Sequence, residues 1–63
     1  MSLVTTPNLK APDTAYAALL AAHKGMTEPE SQALNARLVL ILMNHIGDDA
    51  VLAEAFDLAR STG

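Results

Sequence analysis

The chain has no cysteine and no tryptophan, a single tyrosine and a single phenylalanine among its 63 residues. Without cysteine there is neither a disulfide framework nor a thiolate zinc site, and a reducing compartment suits such a chain. Basic residues are scarce as well. Four Lys and Arg stand against seven Asp and Glu, a net charge of −3 with a pI near 5.0. Nucleic-acid binders carry a basic stripe, which four scattered cations cannot form. The acidic balance also disfavours anionic membrane surfaces. The uninterrupted apolar run Leu38 to Met43 falls far short of the ~20 residues of a membrane span. The opening MSLVTTPNL lacks the basic and apolar regions of a signal peptide. The expected location is the cytoplasm, with no nucleic-acid or membrane partner.

What is present is apolar helix. Hydrophobic residues make up 51% of the chain, a large share for a domain of this size, which buries only ~60% of its unfolded surface. Residues 28–46 read as the central helix. Thr27 and Glu30 form a capping box, the Thr27 hydroxyl accepting from the Glu30 amide and the carboxylate accepting from the Thr27 amide. Pro29 falls in the first turn, where no intrahelical bond is lost, and Gly47 is the left-handed stop. At ~100° per residue, Leu34, Leu38, Ile41, Leu42 and His45 make one stripe, and Ile46, Val39, Met43, Ala36 and Leu40 continue it. Only Glu30, Arg37 and Asn44 form a polar strip. A helix resting on one neighbour shows a narrower apolar face, so this one asks for cover on three sides.

Residues 1–11 form an arm in which Pro7 biases Thr6 to extended geometry. It is either a disordered terminus or an ordered strap whose Leu3, Val4 and Leu9 cover apolar surface on the central helix or a partner. Residues 12–63 form one helical domain. Its first helix, 12–24, starts on Pro12 and Asp13, presents Tyr16, Leu19, Leu20 and His23 on one face, is otherwise mostly alanine, and stops at Gly25. The short link of Gly25 and Met26 predicts an antiparallel hairpin of the first two helices. The third helix, 49–60, is capped by Asp48. It places Val51, Leu52, Ala55, Phe56, Leu58 and Ala59 on one face and Asp49, Ala53, Glu54, Asp57 and Arg60 on the other. The expected fold is all-α: a helical hairpin plus a third amphipathic helix, in a dimeric bundle.

The dimer follows from lengths. In the hairpin the second helix overhangs the first by roughly 8–10 Å at ~1.5 Å per residue, and the overhang carries Leu42, Met43, His45 and Ile46. With Leu38, these are the expected interface residues of a two-fold homodimer, to which a larger protein partner could bind.

No catalytic motif stands out, and no cofactor is expected. Ser31, Thr27 and Ser61 have no histidine or lysine at a suggestive spacing. Asp48 and Asp49 read as cap and dipole residues, and Tyr16 and Phe56 as core anchors. His45, beside Asn44 and just before Asp48, admits two readings: a structural histidine, or with Asp48 the start of a metal or small-ligand site at the dimer interface. A metal needs three or four ligands, and one imidazole lies here. His23 is separated from His45 by roughly 20 Å or more of helix rise, and reads as an imidazole favoured by the end of the first helix.

Leu34, Asn35, Ala36, Arg37 and Leu38, followed by Asn44, His45, Ile46, Gly47 and Asp48, with Asp13, Tyr16, Ala17 and Leu20 upstream, resemble a family of very short bacterial proteins known as a domain of unknown function. The similarity covers most of the chain after the arm. It departs at Ala11, where an acidic or small polar cap would precede Pro12. The resemblance implies a small helical protein without assigned activity, and supplies no catalytic residues.

Overall fold

In the computed structural model, which describes residues 2–63, each helix begins and ends where local chemistry places it. The order is α1 (Pro12–Ala22), α2 (Glu28–Ile46) and α3 (Asp49–Ser61), with no strand among the described residues. The fold is all-α.

Helix α1 starts without side-chain help: Ala11 offers no acceptor, and Pro12 and Asp13 occupy the first turn. Its end comes two residues before the expected one. The amides of His23 and Lys24 donate to the carbonyls three residues back, at 3.1 Å each, which tightens the last turn into 3₁₀ geometry. Gly25 then takes φ +77, a conformation that costs an L side chain. Helix α2 carries the full capping box. The Thr27 amide donates to Glu30 Oε1 at 2.8 Å, and the Glu30 amide donates to Thr27 Oγ1 at 3.4 Å. Gly47, at φ +66, closes the helix by donating to the Met43 carbonyl at 2.9 Å. In α3, Asp48 Oδ1 accepts from the amides of Ala50 and Val51 at 2.9 and 3.1 Å, satisfying two donors that the helix start leaves open.

Packing is concentrated at the corner between α2 and α3, the one helix pair among the described residues whose Cα atoms come within 8 Å. Val51 and Leu52 are the buried hydrophobic core, and Leu34, Leu38, Met43 and Ala55 are half-buried. The arm, without regular structure, crosses to α3, where the Leu3 amide donates to Glu54 Oε2 at 3.2 Å. Val4 and Leu9 remain exposed.

The hairpin expected of the first two helices is not seen in the single chain. No residue of α1 brings its Cα within 8 Å of one in α2, whereas packed helices have axes 8–10 Å apart. Two features account for this. The early end of α1 stretches the link to five residues, His23 to Thr27, so it no longer forces close antiparallel neighbours. The alanine-rich faces of α1 also offer little area to pull the helices together. The chain is correspondingly open. Its radius of gyration is 13.3 Å, where a compact chain of this length has about 10.6 Å.

Candidate interaction surface

The outer side of α2 is the dominant surface feature. Leu34 and Leu38 turn inward, while Leu42, Ile46, Val39, Met43, Ala36 and Leu40 run as one arc around the helix at ~100° per residue. Val39 and Leu42 are each 49% exposed and Leu40 and Ile41 64%. The polar strip Glu30, Arg37, Asn44 borders this arc and is exposed throughout. A second apolar face lies on α1, where Tyr16, Leu19 and Leu20 are all open to solvent. Contiguous exposed apolar residues of this kind make these two faces the candidate interaction surface.

The expected interface residues fall into two groups. Leu42 and Ile46 are exposed on the arc and Met43 is half-buried at its edge, whereas half-buried Leu38 helps line the inner side of α2. His45 sits exposed in the last turn of α2. Asp48 is half-buried, and one of its carboxylate oxygens is taken up by capping α3. Among the described residues no group of three or more His, Cys, Asp or Glu side chains converges as a metal site would require.

A polar cluster at the α1–α2 link escaped the sequence reading, which found no histidine suitably spaced from Ser31. The structure places His23 Nδ1 2.8 Å from Ser31 Oγ, and His23 Nε2 3.0 Å from Asn35 Oδ1. A carbonyl oxygen can only accept, so in the neutral ring Nε2–H donates to Asn35 and Nδ1 accepts from the Ser31 hydroxyl. That hydrogen-bond direction also occurs in serine nucleophiles. Among the described residues no pocket lies beside Ser31, and its own amide donates to the Thr27 carbonyl at 2.9 Å. The cluster ties the end of α1 to the first two turns of α2. Its signal was present in the sequence: Ser31 and Asn35 are four apart, hence on one helix face, just past a glycine turn that folds His23 back.

The carboxylate of Glu30 is held below its ordinary pKa by the hydrogen bonds from the Thr27 backbone and then the Thr27 hydroxyl. Charge at this end of α2 also suits the helix dipole. No helix of the described residues is long and apolar enough to cross a membrane.

Residues 3–61 match the family described as Protein of unknown function (DUF2783). The chain belongs to that family. The match spans the arm, all three helices and the cluster around His23, so the whole arrangement is the DUF2783 unit. No curated protein and no solved structure matches the chain. The family description assigns no activity and therefore no reactive residue to this DUF2783 chain.

Proposed function

We propose that this DUF2783 chain is a non-enzymatic interaction protein of the cytoplasm, working as a homodimer with α2 at its centre and offering the assembled surface to a larger protein. One observation carries the reading. The chain exposes 5432 Å², whereas a compact monomer of its mass exposes roughly 3,900 Å². The excess, about 1,500 Å² per chain, is nearly twice the ~800 Å² that each partner contributes to a stable interface of standard size. Apolar residues of α1 and α2 account for much of what is open, and a core of two residues is too small to hold 63 residues without reinforcement. With no disulfide available, association is the remaining source of it. The antiparallel helix packing that the single chain lacks then belongs to the assembly.

Light scattering across nanomolar to micromolar concentrations tests the dimer. A mass of twice 6.6 kDa is expected at micromolar chain, and a single monomeric species there would overturn the reading. A tagged dimer used as bait in native lysate then tests the larger partner, which should be retained in stoichiometric amount. Retention lost on charging the α2 arc would mark that surface, directly or through the dimer, as the one required.

A further inference from the structure

Two exposed apolar faces of this chain start from one vertex. His23 ends α1 with its backbone still in the helical region, at φ −92 and ψ −2. Its ring therefore continues the face of α1 that carries Tyr16, Leu19 and Leu20, seven, four and three residues earlier. That ring is bonded to Ser31 and Asn35 on α2. From Asn35 the same face of α2 runs on through Val39, Leu42 and Ile46, four, seven and eleven residues later. Both helices thus leave the His23 fastening with their apolar faces turned toward each other, and all six side chains are exposed. The registers agree. Leu19 stands to Val39, Tyr16 to Leu42 and Pro12 to Ile46 as His23 stands to Asn35, with equal counts of residues along the two helices. An 11-residue α1, about 16 Å long at ~1.5 Å per residue, is long enough to lie over its own α2 as far as Ile46. Only the direction of α1 separates the faces, since none of its Cα atoms lies within 8 Å of one in α2. The turn between them has room to alter that direction: a Cβ at Gly25 would meet nothing within 4 Å beyond its chain neighbours.

We propose that α1 is a lid, hinged at Gly25 and pinned by His23, that closes over the Val39–Leu42–Ile46 face of its own chain and withdraws that face from association. The open arrangement is the one that associates, and the closed one is autoinhibited, because one face cannot meet both its own α1 and a second subunit. What closure controls rests on the homodimer reading, and the test separates the two. The absence of cysteine lets a single pair be placed within one chain. Y16C with L42C, oxidised at high dilution, should form a disulfide within the chain, which runs at the mass of one chain on a non-reducing denaturing gel. Such a bond needs Cα atoms within about 7 Å, so it forms only when α1 is closed. L19C with V39C repeats the test on the next turn, and Y16C with L40C, on the far side of α2, should stay reduced. Circular dichroism checks that each variant is helical. In light scattering at micromolar chain, the oxidised Y16C/L42C protein should stay at 6.6 kDa, and the same sample should double its mass on reduction. Failure of both facing pairs in helical chains, or bonds formed only between chains, would overturn the closure. An oxidised form that associates as tightly as the reduced one would overturn the autoinhibition. An unmodified chain that is monomeric at micromolar concentration would overturn the homodimer reading and the autoinhibition with it, while the bond within the chain would still decide the closure.

Discussion

Val51 and Leu52, at the corner between α2 and α3, are buried by the chain's own neighbours, while Val39 to Leu42, about ten residues earlier, stand half or more open to water. Both stretches are short aliphatic runs inside well-capped helices. They differ in what lies across from them. The short break at Gly47 brings the start of α3 against α2, where Val51 and Leu52 are covered, while Phe56 and Leu58 further along the same apolar face of α3 stay exposed. The outer side of α2 has only α1 to meet, and α1, short and alanine-rich, does not pack against it in the single chain. Apolar character alone therefore does not make a core; a second surface must be within reach.

The largest expected effect comes from charging the open region. V39E with L42E places two carboxylates in the proposed interface, and should weaken association at least 100-fold, about 2.7 kcal/mol or more, measured by sedimentation over a concentration series. An unchanged mass would break the comparison, because the open region would then play no part in association. In the closed region, Leu52→Ala should cost about 2–3 kcal/mol in chemical denaturation, at the lower end for a buried leucine because the core is small. A loss no greater than that of Leu40→Ala would erase the distinction between corner and arc. Smaller again is Thr27→Ala, which removes the hydroxyl from the α2 cap and should cost about 1 kcal/mol, seen as a lower denaturation midpoint with helix content retained.

The smallest effect is a pH dependence at the same cap. The pKa of Glu30 is lowered in the folded chain, so its contribution is complete at neutral pH and is lost as acid takes the pH from the unfolded value down through the folded one. Glu30→Gln keeps a side-chain acceptor for the Thr27 amide but should flatten that part of the acid dependence in thermal melts. An unaltered acid profile would show that Glu30 ionisation contributes nothing measurable.

Helix positions were legible because their determinants lie within three or four residues of each other. Thr27 with Glu30, Gly47, and Asp48 with the amides of Ala50 and Val51 form the contacts their spacing implies. The end of α1 was less legible, since nothing local distinguishes a final α-turn from the tighter bonds of His23 and Lys24. The bond from Leu3 to Glu54, spanning 51 residues, had no counterpart in any sequence period. Neither did the fastening of His23 to Ser31 and Asn35, although their spacing on one face of α2 carried part of the signal.

By itself, then, the sequence determined an all-α chain, its caps, and an excess of apolar surface, since composition and short-range hydrogen bonding settle those. Tertiary structure alone decided which apolar residues are covered. Leu38 and Leu42 are the same residue type one turn apart, yet only Leu38 faces the inner side. Burial depends on what stands opposite a side chain, and that is set by the five-residue link and the one-glycine corner, through the directions they impose on α1 and α3.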